Sequence, residues 1–97
     1  MTEDEFWKHL EGMKGKFRKS GWCIRSVTGD KCPICAVAES VTSERYANNT
    51  MAIRAASDIG LDPQFTDAVI VSADRPLDRL CHRDLDAVRR RLEAIVA

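Results

Sequence analysis

Residues 21–41 read Gly-Trp-Cys-Ile-Arg-Ser-Val-Thr-Gly-Asp-Lys-Cys-Pro-Ile-Cys-Ala-Val-Ala-Glu-Ser-Val and hold three of the four cysteines of the chain. Residues 22–27 have the composition of a short strand, and the Thr28-Gly29-Asp30-Lys31 turn predicts that the chain returns as a two-strand hairpin. Pro33 suits the first position of a helix, and the apolar run from Ile34 to Val41 predicts that this helix is buried. Because a single hairpin is only marginally stable, helices from the rest of the chain must cover it.

Helical periodicity flanks this segment on both sides. The sequence predicts helices over residues 3–19, after the capping box Thr2-x-x-Glu5, then over about 49–59, from Asp62-Pro63 onward, and over about 77–96. The predicted inner faces carry side chains at spacings of three or four: Phe6, Leu10, Met13 and Phe17, then Phe65, Ala68, Val69 and Ser72, then Leu77, Cys81, Leu85, Val88, Leu92 and Ile95. The predicted fold is mainly α (α+β), with four or five helices packed around one short β-hairpin in a single domain, residues 1–97.

Composition narrows the class of protein. Of the 97 residues, 44% are hydrophobic and 31% are charged, as in an ordinary globular domain. Fifteen basic residues balance fifteen acidic ones, which argues against a dedicated nonspecific nucleic-acid binder and against an acidic mimic of DNA. The acidic start of the chain predicts no signal peptide, and no stretch approaches the roughly 20 apolar residues of a membrane span. We therefore expect a cytoplasmic protein with reduced thiols and no membrane partner.

The cysteines suggest a tetrahedral zinc site. Cys32 and Cys35 form a C-x2-C pair at the predicted first turn of a helix, where the dipole and the free amides favour thiolates. Cys23, across the predicted turn, and either Cys81 or His82 would complete the shell. Such a site would join the hairpin to the last helix.

Two other interpretations of the cysteines remain open. A strong zinc signature contains the C-x2-C pair twice, and this chain contains it once. In the first alternative the cysteines are therefore small apolar core residues. A redox pair at Cys32-Pro33-Ile34-Cys35 would need the strand-to-helix turn of a parallel sheet, for which the chain has too little strand. The sequence therefore assigns no metal ligand, cofactor or catalytic residue.

The central segment resembles a loose group of small uncharacterised phage and prophage proteins. The resemblance covers about residues 22–80 and rests on short motifs: Ile24-Arg25, Gly29, Cys32-Pro33-Ile34, Ala36-Val37-Ala38, Ile59-Gly60-Leu61 and Ser72-Ala73-Asp74. In that group the second cysteine is not a fixed part of the pattern, which supports a packing role for Cys35. The resemblance implies a phage-type cytoplasmic protein and supplies no activity.

A nucleic-acid-binding role is the alternative function. Ala56, Gly60, Leu61 and Val69 fall near the small, glycine and apolar positions of a helix-turn-helix. The second helix, however, would begin Asp62-Pro63-Gln64-Phe65-Thr66-Asp67. Two of these residues are acidic, although the start of a recognition helix must contact DNA bases and phosphates. The sequence thus favours two helices that turn a corner at Gly60.

The remaining motifs favour binding over catalysis. There is no glycine-rich phosphate loop and no H-E-x-x-H, and His9 is predicted to lie on the surface, so we expect a protein that is not an enzyme. Trp7 and Trp22 would anchor a partner if exposed, although burial over the core is the favoured interpretation. The arginines at 89–91 are predicted to lie on a solvated helix face, with an Asp86–Arg90 pair.

The sequence thus predicts a small non-enzymatic phage-type accessory protein that acts by protein–protein binding, or that inhibits a host defence machine. Its expected partner is a host protein or complex, and a homodimer is a further expectation. The alternative is a zinc-stapled or helix-turn-helix nucleic-acid-binding module.

Overall fold

The computed structural model describes residues 1–20, 23–27, 31–46, 51–74 and 85–96. In chain order they form α1 (Glu3–Gly12), β1 (Phe17–Ser20), β2 (Cys23–Ser26), α2 (Pro33–Thr42), α3 (Ala52–Asp58), α4 (Pro63–Asp74) and α5 (Leu85–Val96). The helices pack around the two antiparallel strands, so the predicted mainly α fold with a short hairpin is confirmed. None of the described helices is long and apolar enough to cross a bilayer.

Helix α1 begins with the predicted capping box. The Thr2 hydroxyl accepts from the Glu5 amide at 3.2 Å, and the Glu5 carboxylate accepts from the Thr2 amide at 3.1 Å. These two bonds satisfy amides that the first helical turn leaves without partners. Phe6 and Leu10 then lie one turn apart on the buried face of the helix.

The prediction that α1 continues to residue 19 is wrong. The helix ends at Gly12, and Gly15 has a φ of +92°, in the left-handed region that glycine adopts at no steric cost. The chain then turns into β1, so the buried Phe17 reaches the core from a strand. Phe17 fits the helical spacing of Phe6 and Leu10 by coincidence.

The hairpin forms earlier in the chain than predicted. Residues 23–26 are its second strand, and they pair antiparallel with β1, with Phe17 opposite Ser26 and Lys19 opposite Ile24. The predicted turn at residues 28–30 lies outside the described residues. Arg18 faces Arg25 across the ladder, a like-charge pair that Asp74 offsets through an ion pair with Arg25 at 2.6 Å.

Helix α2 is the central helix, and it packs against α1, β2, α3 and α4. It begins at Pro33, as predicted, because proline has the φ of a first helical residue and no amide to satisfy. The predicted burial of the 34–41 run holds for Ile34, Val37 and Ala38, whereas Val41 is 44% exposed.

Helices α3 and α4 form the predicted corner. Gly60, with a φ of +67°, reverses the chain between them, and Pro63 opens α4. The Asp62 carboxylate accepts from the Phe65 amide at 3.0 Å and so caps α4. Helix α3 runs from Ala52 to Asp58, and its predicted start at about residue 49 lies outside the described residues.

Helix α5 begins at Leu85, and the predicted first part of this helix, with Leu77, lies outside the described residues. The Asp86–Arg90 pair is confirmed at 3.1 Å. The prediction that the arginines lie on a solvated helix face is wrong for Arg89, because its side chain is only 2% exposed. Its guanidinium donates to the Ser72 carbonyl and, at 3.0 Å, to Glu93, and it thereby joins α4 to α5.

Candidate functional site

Two cysteine side chains meet at the start of α2. Cys32 is the N-terminal cap residue, in an extended conformation, and Cys35 lies three residues later in the first turn. Residues three apart on a helix are neighbours, and the two thiols hydrogen-bond to each other. Both are reduced and buried, with exposures of 2% for Cys32 and 0% for Cys35. The predicted placement of this pair is confirmed.

The two thiols differ in acidity. The hydrogen bond from Cys35 lowers the pKa of Cys32 to about 7, although burial opposes this shift. The amides of Cys35 and Ile34 face the Cys32 sulfur and act in the same direction, without a hydrogen bond of capping geometry. The hydrogen bond to Cys32 and burial both raise the pKa of Cys35. Cys32 is therefore the more acidic thiol of the pair, and the shared proton stays on Cys35 when Cys32 ionises.

Charged residues surround this thiol pair. Lys31 lies 2.5 Å from a Glu39 carboxylate oxygen, and the same carboxylate accepts from the Tyr46 amide at 3.2 Å. The charge of Asp74 raises the pKa of Cys32, against the larger effect of Cys35. The pair can supply two soft sulfur ligands, but no group of three or more metal-ligating side chains occurs within the described ranges.

The other predicted zinc ligands are the Cys23 side chain, Cys81 and His82, and all three lie outside the described residues, as does Trp22. The structure therefore brings together two of the predicted ligands, and zinc binding stays a prediction. His9 is exposed on α1, as predicted.

Trp7 belongs to the core and offers no exposed anchor. Its side chain is 5% exposed, and its ring meets Phe6 and Phe65 edge-on at centroid distances of 5.5 and 5.8 Å. The Arg91 guanidinium covers the ring at 4.5 Å. The favoured interpretation, that Trp7 closes over the core, is confirmed.

An apolar groove lies at the corner between α3 and α4, with a volume of about 440 Å³. We call it the corner groove, and it is lined by Ile53, Ala56, Ser57, Gly60, Leu61, Asp62, Pro63 and Thr66. Ile53 is 64% exposed, more than Val27 at 51% and Val41 at 44%, the other exposed large apolar side chains of the described residues. The corner groove therefore combines a concave surface with the most exposed of these three side chains.

The corner groove was not predicted from the sequence, although the sequence does carry a signal for the exposed position of Ile53. Ala52, Ala55 and Ala56 form the buried face of α3, and Ile53 lies outside that face. A bulky aliphatic residue out of phase with a run of buried alanines indicates a solvent-facing apolar position.

The comparisons with protein families, with curated proteins and with solved structures gave no match. The resemblance to phage proteins therefore stays a prediction.

Proposed function

We propose that this is a small non-enzymatic accessory protein of a phage-type, cytoplasmic setting, which binds a host protein through the corner groove and inhibits the machine to which that host protein belongs. The observation that carries the proposal is the 64% exposure of Ile53 beside a groove of about 440 Å³. An apolar side chain beside a concave apolar surface gives a partner a place to bury carbon surface. The setting comes from the sequence resemblance, and the inhibitory outcome comes from the small size and balanced charge of the chain and from the lack of a catalytic motif in its sequence.

The packing of α3 explains why the exposure of Ile53 favours a binding role. The side of α3 that faces the protein is already filled by alanines, which leaves Ile53 without a packing role in the core. Leaving an aliphatic side chain in water forgoes about 1.5–3 kcal/mol of burial free energy. Burial against a partner recovers that free energy.

We expect Ile53→Ser to abolish partner capture and to leave stability unchanged. Serine and isoleucine have similar helix propensities, and the isoleucine side chain lies mostly in solvent. The measurement is affinity capture from bacterial lysate with quantitative mass spectrometry, with Val41→Ser on α2 as the matched control. Equal capture by wild type, Ile53→Ser and Val41→Ser would count against the corner groove as the binding site. If the wild type captured no protein above background, that result would count against partner binding. Measurement of the molecular mass of the wild type in solution distinguishes a homodimer from a monomer.

A second candidate function is a zinc-stapled domain, and the contact between the Cys32 and Cys35 thiols favours it. A C-x2-C pair on the first turn of a helix is one half of many structural zinc sites. The sequence supplies Cys23, Cys81 and His82 as candidates for the other half. The nucleic-acid role that accompanied this alternative has no support in α4, because its residues 63–74 include no lysine or arginine.

For a zinc-stapled domain, elemental mass spectrometry of natively purified protein is expected to give about one zinc per chain. The double variant Cys32→Ser/Cys35→Ser is then expected to lose the metal and much of its stability. If the wild type contained no metal and its stability did not change in a chelator, the zinc-stapled domain would be excluded. Both thiols would then be core residues.

A further inference from the structure

We infer that Cys32 and Cys35 form a reversible redox site, which a low-molecular-weight disulfide such as glutathione disulfide converts from a dithiol to an intramolecular disulfide. This modification is separate from the corner groove and goes beyond the proposed binding function. The site changes its own oxidation state and is not a redox enzyme, so it requires two sulfurs within reach of each other but no parallel sheet. Three observations support it: the backbone geometry, the contact between the thiols and their burial.

The backbone at the start of α2 gives the two cysteines the separation that a disulfide needs. The Cys32 carbonyl accepts from the Ala36 amide at 3.1 Å, so the helical hydrogen bonding already includes Cys32. Residues three apart on a helix have Cα atoms about 5 Å apart, and disulfides join Cα atoms separated by roughly 4.4–6.8 Å. Pro33 restricts the backbone between the two cysteines, because its ring fixes φ. A disulfide therefore requires no large movement of the helix.

The two thiols are already in contact. Cys32 and Cys35 are both reduced, and their side chains hydrogen-bond to each other. Because this contact already restricts both side chains, little side-chain entropy remains to be lost when the sulfurs are joined. Disulfides in cytosolic proteins are usually transient and respond to redox conditions. The pair therefore has the arrangement expected of a reversible site.

Burial determines which oxidised product the fold accepts. Cys32 and Cys35 are 2% and 0% exposed and belong to the hydrophobic core. A disulfide between them adds no atoms and leaves no S–H group behind. A glutathione adduct would instead place a charged tripeptide in a packed apolar region, which overpacks the core and buries charge. The fold therefore favours the intramolecular disulfide over the adduct.

The oxidation proceeds by two thiol–disulfide exchanges. The thiolate of Cys32 attacks one sulfur of glutathione disulfide, which forms a mixed disulfide and releases one glutathione thiolate. Cys35 then loses its proton to water and attacks the Cys32 sulfur, which forms the intramolecular disulfide and releases the second glutathione thiolate. The cysteine pair gives up two electrons and two protons, and the glutathione disulfide becomes two thiols. Cys32 reacts first because the pKa of its thiol is the lower of the two.

The test incubates natively purified protein in glutathione buffers of increasing disulfide content, with a chelator so that no metal holds the thiols. Incubation continues until the product ratio is constant, because exchange at buried thiols requires opening of the first turn of α2. Free thiols are then alkylated under denaturing conditions, and the protein is digested with trypsin. Lys31 and Arg45 bound one tryptic peptide, residues 32–45, which contains both cysteines of the pair and neither of the other two.

We expect this peptide to become two hydrogens lighter and to carry no alkyl group as the disulfide content rises. After treatment with dithiothreitol it is expected to carry two alkyl groups again. In the folded protein the glutathione adduct is expected to be less abundant than the intramolecular disulfide by about tenfold or more, and in urea this preference is expected to shrink because the core is gone. Cys23→Ser is the matched control and is expected to oxidise like the wild type.

Three results would overturn the inference. They are two alkyl groups on the peptide at every glutathione ratio, an adduct more abundant than the disulfide in the folded protein, and a disulfide that joins either cysteine to Cys23 or Cys81. Partner capture through the corner groove is measured with Ile53→Ser, which leaves the cysteines unchanged. Failure of the redox site and failure of the proposed function are therefore distinguishable.

Discussion

Replacing Arg89 by alanine is expected to lower the free energy of unfolding by about 3 kcal/mol. The guanidinium is buried between α4 and α5, where it donates to the Ser72 carbonyl and to Glu93. Alanine removes those donors, leaves the Ser72 carbonyl in a buried environment and opens a cavity where the arginine stem was. Urea unfolding followed by circular dichroism measures the difference between variant and wild type.

The neighbouring Arg90 is the matched control for this prediction. Its side chain is 76% exposed and pairs with Asp86 on the surface, so Arg90→Ala is expected to cost less than about 0.5 kcal/mol. Both variants lose one positive charge from the same helix. Equal losses in the two variants would mean that burial of Arg89 contributes nothing to stability.

Replacing Phe6 by alanine is expected to destabilise the protein by about 4 kcal/mol. Phe6 is fully buried, and its ring meets Trp7 and Phe65 edge-on, each at a centroid distance of 5.5 Å. Alanine removes the apolar surface and both aromatic contacts, of which the one with Phe65 joins α1 to α4. Since small domains have only about 5–15 kcal/mol of total stability, a loss of this size removes a large part of it.

Phe6→Leu separates volume from aromatic geometry. Leucine refills most of the space, so we expect this variant to lose less than half of what Phe6→Ala loses. The comparison uses the same urea titration, with tryptophan fluorescence as a second probe. A loss below about 1 kcal/mol for Phe6→Ala would contradict the central place of this ring in the core.

Local signals in the sequence predicted the parts of the fold that depend on near neighbours. The capping box at Thr2, the helix start at Pro33 and the chain reversal at Gly60 each depend on residues within one helical turn. The boundary between α1 and β1 was missed because Phe17 continues the apolar spacing of the helix. Only pairing with β2, a nonlocal contact, decides that this residue belongs to a strand.

The candidate sites show the same division between local and distant contacts. The C-x2-C spacing and the proline between the cysteines were sufficient to predict that Cys32 and Cys35 share the first turn of α2. Burial of Arg89 was not predictable, because it depends on a hydrogen bond to the Ser72 carbonyl on another helix. The corner groove depends on the angle between α3 and α4, which the sequence does not encode in any short pattern.

The most direct test of partner binding at the corner groove is site-specific photocrosslinking from position 53. A photoreactive phenylalanine analogue replaces Ile53 in one variant and Val41 in another, and each is irradiated in bacterial lysate. We predict one dominant crosslinked protein from position 53 and none of that protein from position 41. The same crosslinked species from both positions, or none from position 53 while wild type still captures a partner, would contradict the account.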